Sequence, residues 1–490
     1  ASIAERATFK VGCPRLIPKP EECPMQLRFH GAADGVTGSL HRLTVGESDV
    51  ILDCGLFQGR REESNQRNRD LPRWTRDAAA VVLSHAHLDH SGSLPTLAKR
   101  GFEGNIFCTP PTRDLCSVML RDAAMIQEAD ARHLNKRFQR EGIKDRIEPL
   151  YSMEDVQAAM QLMISVPLHR PMPVVPGMTL TFHNAGHVLG SALVQLDLQE
   201  RGRRSRLLFS GDLGRAELPL LRDPEIPEGI ETLLLESTYG NRLHADFATV
   251  DDRLGEIVKA TIGRGGRVFI PTFALERAQE VLFSLERLFE RDALPRVPVY
   301  IDSPLAIKIT EIYKLHPEGL DGPVRERMLN HNDPFSPPGL RYVTEARDSK
   351  ALQASGEPCI VIAGSGMCEG GRILHHFVSG LEDSRNSVVL VGFMAEHTLG
   401  RRIGEGRRQV KVFGVEREVN ARVHVLDGLS AHGDREDLIG FVRAVKAAGP
   451  LRRVVLVHGE DDARTALKQG LKELGVPEVI IARPDLVLEL

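Results

Sequence analysis

The sequence lacks the marks of several large classes of protein. Among its 490 residues no apolar run approaches the roughly 18 that a membrane-spanning helix needs. Its first twenty residues, ASIAERATFKVGCPRLIPKP, carry charges and prolines and no apolar core of a secretory signal. The seven cysteines are scattered, odd in number and without CxxC spacing, which suits reduced thiols in a cytoplasm better than a disulfide framework. No short repeat and no low-complexity tract is visible. Global basicity is missing too: the formal charge is −4, so a nucleic-acid partner would have to use local patches such as RGRRSR (201–206) and GRRIGEGRRQVK (400–411). What is present is globular: 42% hydrophobic and 27% charged residues, on a chain too long for one ordinary core.

One theme recurs along the chain. A short apolar run, rich in β-branched residues and read as a buried strand, ends in a polar cluster. Examples are AAAVVLSHAHLDH (78–90), LTFHNAGHVLGS (180–191), RLLFSGDLG (206–214), TLLLESTYG (232–240), VHVLDGLSAHGD (423–434) and RVVLVHGE (453–460). Side chains at such strand ends can converge on one point while a sheet holds them rigid. Between about 240 and 423 the pattern changes. VFIPTF, VPVYIDSPL, CIVIAGSGM and SVVLVGF alternate with helical segments such as 274–289, where Ala278, Val281, Leu282, Leu285 and Leu288 share a face. Alternation of this kind predicts a parallel α/β sheet, inserted between two parts of the first domain. A second amphipathic stretch, 113–138, is expected to cover the first sheet or the cleft.

The segment Val81–Gly92, VVLSHAHLDHSG, packs three histidines and an aspartate into six positions. Imidazole nitrogen and carboxylate oxygen are the ligands of zinc-like metals. Four such groups so close together rarely fit one tetrahedral ion, whereas two neighbouring ions, each taking two of them, fit better. The missing ligands must come from other strand ends, where His187, Asp212 and His458 stand. Asp212 has two oxygens and can bridge.

The HxHxDH motif at His85, His87, Asp89 and His90, followed by His187, Asp212 and His458, resembles the metallo-β-lactamase superfamily. ESTYG with Glu236, SAHGD with His432 and LVHGE with His458 resemble the β-CASP branch, which processes nucleic acids, and within it the RNA-cleaving relatives of the cleavage and polyadenylation endonuclease. GAADGVTGSLHRL (31–43), LDCGLFQG (52–59), PTFALERAQE (271–280), IDSPLA (301–306), HNDPF (331–335) and GSGMCEGGR (364–372) extend the resemblance from about residue 26 to the end.

The resemblance implies an α/β fold: an αββα metallo-β-lactamase sandwich with an inserted parallel-sheet β-CASP domain capping the metal edge. The expected division is an N-terminal extension (1–25), the first part of the metallo-β-lactamase domain (26–240), the β-CASP domain (241–422) and the C-terminal part of the first domain (423–490). His85, His87 and His187 are expected to hold one zinc, and Asp89, His90 and His458 the other, with Asp212 between and Asp53 orienting ligands; manganese is the alternative metal. The implied activity is hydrolysis of single-stranded RNA by a water activated between two cations. Asp212 and Asp89 serve that chemistry as carboxylates, and His432, kept protonated by Glu236, is the expected general acid. Ser365, Gly366 and Arg372 in the glycine-rich turn, and Arg277, are expected to touch RNA; His375 and His376 are read as helix residues beside the cleft.

Three rivals are weighed. Lactam and thioester hydrolases of the superfamily lack the insert and the SAHGD histidine. DNA-processing β-CASP members usually carry valine where His458 stands. A non-catalytic scaffold would have lost ligands, and here all are present. Endonuclease action is favoured, with 5′-exonuclease trimming also open, because members resembling RNase J carry a further C-terminal domain that the sequence does not show. No membrane partner is expected, and a homodimer is left open.

Overall fold

The computed structural model describes residues 25–490 apart from residues 60, 245–247, 393 and 396. The expected N-terminal extension, but for its last residue, lies outside the described residues. Two seven-stranded sheets pack face to face. The first runs in the order Val487–Glu489, Gln26–Gly31, Leu40–Val45, Ser48–Leu52, Ala80–Val82, Asn105–Cys108, Met163–Ser165. The second runs Glu478–Ile481, Arg453–Leu456, Thr232–Leu235, Arg203–Phe209, Ala192–Glu200, Met178–Asn184, Met172–Val175. In each sheet one half pairs in parallel, from Ser48–Leu52 to Met163–Ser165 in the first and from Glu478–Ile481 to Arg203–Phe209 in the second, and the other half antiparallel.

Alternation along the strands explains the sandwich. Leu27, Phe29, Leu43, Val50 and Leu52 of the first sheet meet Leu180, Phe182, Val194, Leu196, Phe209 and Val455 of the second, all buried in one core. The outer face of the second sheet is covered by helices Arg435–Ala447 and Asp461–Glu473 through Leu438, Val442, Leu467 and Leu471. The outer face of the first is covered by helices that include Leu94–Lys99 and Pro110–Arg140. The latter is the amphipathic stretch read over 113–138. Thr109 caps it, accepting from the Thr112 N–H, and its first half is buried while its second half projects into solvent.

Inside the sandwich His41 is fully buried between Phe29 and Phe209, whose rings meet it edge-on at 5.3 and 5.6 Å. Neither of its ring nitrogens has a hydrogen-bond partner. Burial, with lesser repulsion from nearby imidazoles, pushes its pKa down to about 3, so it is packed as a neutral ring.

The third sheet is wholly parallel, in the order Leu340–Tyr342, Val299–Asp302, Ile360–Ala363, Val268–Pro271, Ser387–Leu390, Arg422–Val425. Its central strands are buried on both faces, as uninterrupted runs such as VFIP and IVIA require. Helix Arg277–Glu290 realises the predicted stripe, with Ala278, Val281, Leu282, Leu285 and Leu288 all in the core. One expectation fails in position. The strand Arg422–Val425, read as the first of the returning domain, pairs with Ser387–Leu390 and closes the inserted sheet instead. The expected boundary at 423 therefore falls inside a strand, because an apolar run does not reveal which neighbour it will pair with.

The five described cysteines are free and buried. No helix among the described residues is long and apolar enough to cross a membrane.

Candidate metal centre

Seven side chains from four separate segments meet at one end of the sandwich. His85 leaves strand Ala80–Val82, His87 precedes the short helix Leu88–Ser91, and Asp89 and His90 lie on that helix. His187 sits in the turn after strand Met178–Asn184, where the Ser191 hydroxyl accepts from the N–H groups of His187 and Val188. Asp212 follows strand Arg203–Phe209 through Gly211, whose positive φ leaves its α-carbon facing Ser84. His458 follows strand Arg453–Leu456 at φ 49° and is pinned by its N–H to the Ala32 carbonyl, 2.7 Å. The left-handed backbone at a histidine is a local strain held by its surroundings.

The donor atoms fall into two groups, each within 4.8 Å: His85, His87, His187 and Asp212, then Asp89, His90 and His458. In the first group His87 Nδ1 lies 3.1 Å from His85 Nε2 and 3.3 Å from His187 Nε2, and Asp212 Oδ2 lies 3.5 and 3.6 Å from those two Nε2 atoms. In the second, His458 Nε2 lies 3.3 Å from His90 Nε2 and 3.6 Å from Asp89 Oδ2. Asp212 turns its other oxygen, Oδ1, to this group, 3.2 Å from His90 Nε2. Tetrahedral ligands about 2.0–2.1 Å from an ion stand about 3.3 Å apart, so these spacings are those of ligand shells. Asp212 Oδ1 is also buried without a hydrogen-bond partner, as a bridging ligand atom would be. The residues fit two divalent cations.

In four of the five imidazoles the other ring nitrogen is spoken for, which fixes the tautomer. His90 Nδ1 donates to Asp53 Oδ2 at 2.7 Å. His187 Nδ1 donates to the Ala431 carbonyl at 3.2 Å. His85 Nδ1 is 3.1 Å from Ser84 Oγ, and His458 Nδ1 is 3.1 Å from Thr238 Oγ1. Asp53, fully buried at φ 57°, is itself held by the Ser84 N–H and hydroxyl at 2.7 and 2.9 Å. Ser84, Thr238 and the Ala431 carbonyl escaped the reading of the sequence. Ser84 and Thr238 stand inside the quoted motifs, but nothing in a motif tells an orienting hydroxyl from a turn residue.

Electrostatics divide the imidazoles. Burial, with repulsion from neighbouring rings, holds His85 and His187 well below the usual range and His87 at about 4. Burial opposes charge on His90 as well, yet Asp212 and Asp53 hold it well above the usual range. Asp212 is kept ionised against its own burial by the surrounding imidazoles.

Beside this cluster His432 Nδ1 donates to Glu236 Oε1 at 3.0 Å. Its Nε2 faces the centre, 4.0 Å from Asp212 Oδ2. Burial works against a charge on His432, but Glu236 and Asp212 outweigh it and raise the pKa to about 9. Glu236 is fully buried and accepts from the N–H groups of Leu213 and Thr238, at 2.7 and 3.2 Å. Those two bonds hold the carboxylate in place for its partner.

The expected RNA-contacting residues lie at the carboxyl end of the parallel sheet. Ser365 and Gly366 form the turn after Ile360–Ala363, closed by Ser365 Oγ and the Gly370 N–H at 3.1 Å. A side chain at Gly366 would meet the ring of Phe273, which is 40% exposed and offers a flat apolar face. The two arginines are not free cations. Arg372 gives Nη1 to Asp302 Oδ1 at 2.7 Å and to the Val343 carbonyl, and Nη2 to the Thr344 carbonyl. Arg277 is buried and paired with Glu280. His376 is buried on Asp302 Oδ2 at 2.7 Å, while His375 faces Phe413 with ring centres 4.7 Å apart. Around His375 a recess of about 590 Å³ is lined by Gly370, Arg402, Lys411 and Phe413. Arg372 lines it too, and Arg402 and Lys411 come from the basic run 400–411, whose placement no sequence signal gave.

Three family models match the chain: a metallo-beta-lactamase superfamily domain over residues 42–202, a Beta-Casp domain over 278–403 and a Zn-dependent metallo-hydrolase RNA specificity domain over 416–482. Ribonuclease TTHA0252 of Thermus thermophilus is 37% identical over 464 residues, covering 94% of this chain and 98% of its own. Transcription termination factor FttA of Thermococcus kodakarensis is 35% identical over 392 residues, which is 78% of this chain and 57% of that longer protein. A solved structure of a protein of unknown function from Enterococcus faecalis shares the fold, with a TM-score of 0.53 at 12% identity, over 95% of this chain and all of that one. The two donor sets joined by Asp212, the inserted parallel sheet and these matches agree, and the chain belongs to the β-CASP branch of the metallo-β-lactamase superfamily, a family of metal-dependent hydrolases.

Proposed function

We propose that this protein is a zinc-dependent ribonuclease that hydrolyses phosphodiester bonds of single-stranded RNA, chiefly internal bonds, with 5′ trimming as a secondary activity. The observation that carries the reading is the pair of donor sets sharing the two oxygens of Asp212, with the protonated ring of His432 beside them. The similarity to a protein named a ribonuclease along almost its whole length supports RNA as the substrate.

Two bound divalent ions supply Lewis acidity at the phosphoryl group and activate the attacking water. The chain's own groups do the rest. Asp53, Ser84, Thr238 and the Ala431 carbonyl hold the imidazoles at fixed angles, so little reorganisation accompanies the reaction. His432 presents a proton from Nε2 toward the leaving oxygen while Glu236 keeps the ring oriented and charged. Ser365 and Gly366 offer a backbone turn that a phosphate can approach, and Phe273 a surface on which a base can stack. In this reading Arg372 and Arg277 brace the glycine-rich turn and the start of helix Arg277–Glu290, and do not meet phosphate themselves.

The test is digestion of matched 5′-labelled RNA and DNA oligonucleotides by zinc-loaded and manganese-loaded protein. Internal RNA fragments with intact DNA are expected. Equal cleavage of DNA, or no cleavage after zinc loading, overturns the proposal, and mononucleotides alone reverse the balance between the two activities.

A further inference from the structure

A second set of metal-ligating groups shares no residue with the seven described. His169, His183 and Glu225 bring one donor atom each to within 4.8 Å of the others. They come from three segments stitched together by main-chain bonds. Strand Met172–Val175 begins pairing with Met178–Asn184 at Leu180, which leaves the carbonyls of Phe182 and Asn184 unpaired along that edge. The His169 N–H takes the first at 2.8 Å and the Glu225 N–H takes the second at 3.0 Å. Asn184 in turn donates its N–H to Glu225 Oε2 at 3.2 Å. His169 adopts φ 61°, a left-handed conformation uncommon outside glycine. The three side chains are thus aimed by backbone, on an edge open to water: His169 is 55% exposed, Glu225 24% and His183 18%.

The tautomer of His183 is set by a relay. Arg206 Nε donates to Asp197 Oδ1, Asp197 Oδ2 accepts from Gln195 Nε2, and Gln195 Oε1 then faces His183 Nε2 at 3.0 Å. His183 must donate from Nε2, so the lone pair of Nδ1 faces Glu225 Oε2 at 3.8 Å. Two acceptors turned toward each other across 3.8 Å are spaced to share a cation. His169 Nε2 hydrogen-bonds the same carboxylate oxygen at 2.6 Å, closer than two ligands of one ion stand, so a bound ion would take the place of that proton and part the two atoms slightly. Arg222 occupies the other oxygen, Oε1, at 3.0 Å and so leaves Oε2 as the ligand atom.

We propose that His169, His183 and Glu225 form a third, mononuclear site for a borderline divalent cation such as zinc, separate from the dinuclear centre. Two imidazoles and one carboxylate select zinc over magnesium or calcium, and the exposed side leaves a position for water. The ion would reinforce the main-chain bonds by which His169 and Glu225 already cover the Phe182 and Asn184 carbonyls on the open edge of the second sheet.

The test is metal stoichiometry of the full-length protein equilibrated in a micromolar free-zinc buffer, with thermal unfolding as a second readout. Three equivalents are expected for the native sequence and two for His169→Asn, a replacement that tolerates the left-handed backbone but lacks the ligand. Ribonuclease activity is expected unchanged in that variant. Glu225→Gln and His183→Gln are expected to behave alike, and to lose the part of the zinc-dependent rise in melting temperature that the third ion adds. Two equivalents in the native protein, or three retained in His169→Asn, overturns the site. Should the buried-edge variants fail to fold, the exposed His169→Asn decides alone.

Discussion

Replacing His41 by leucine isolates the cost of burying an imidazole in this sandwich. The folded pKa is about 3 because the ring is wholly enclosed and neither nitrogen has a partner. In the unfolded chain it returns to about 6.5. A group whose folded pKa is depressed takes up its proton in the unfolded state first, so the folded state loses ground as pH falls below the unfolded value. The contribution of His41 is complete above about pH 7 and declines continuously toward pH 3. At pH 5, about 1.5 pH units below the unfolded pKa, preferential protonation of the unfolded state has cost the fold about 2 kcal/mol. His41→Leu keeps the apolar contacts with Phe29 and Phe209 and removes the titrating group. The assay is urea unfolding of metal-stripped protein at pH 7.5 and pH 5.0, native sequence and variant side by side. Stripping any bound ions matters, because their release as pH falls would add a loss of stability of its own. The variant is expected to lose about 2 kcal/mol less than the native protein between the two pH values. Equal losses in both would refute the assignment of a neutral, unpartnered ring to this position.

Three further outcomes are expected. His432→Ala should keep its full metal content while its single-turnover rate falls about a hundredfold; an unchanged rate removes this ring from the chemistry. Gly55→Ala should lose metal without touching any ligand, because an added β-carbon would overlap the Asp89 carbonyl; elemental analysis showing full occupancy would contradict the packing described. Arg372→Ala should lower the stability of the inserted domain by about 2–4 kcal/mol, since Asp302, fully buried, keeps only Ser349 and His376 as partners; a variant that melts normally and only binds RNA less tightly would make Arg372 a phosphate ligand after all.

How much of this was legible depended on sequence distance. HAHLDH announces itself because its four candidate ligands are adjacent, and the strand-end rule pointed to His187, Asp212 and His458, whose donor atoms the fold brings to the same place. The helix Arg277–Glu290 was readable from its stripe of apolar residues. Contacts across the fold were not. Arg372 and Arg277 look like free cations in a glycine-rich and a helical context, yet their partners, Asp302 seventy positions away and Glu280 on the next turn, neutralise them. Which sheet strand Arg422–Val425 would join was equally hidden, because parallel pairing is decided by neighbours and not by the run itself. His41 carries no sign of its burial beyond a place in an apolar strand.

The chain leaves the sandwich through 238–244 and returns through 426–435, and these two passages are laced together: Asp434 accepts from the His244 N–H at 3.0 Å, and Arg435 donates its N–H to the Arg242 carbonyl at 3.0 Å. His432 rides on the returning passage and Glu236 stands at the root of the outgoing one. The stitching between the two passages is therefore also the mount of His432. Movement of the inserted sheet against the sandwich would pull on this seam, so under the proposed function strand entry and the placing of the acid share one joint.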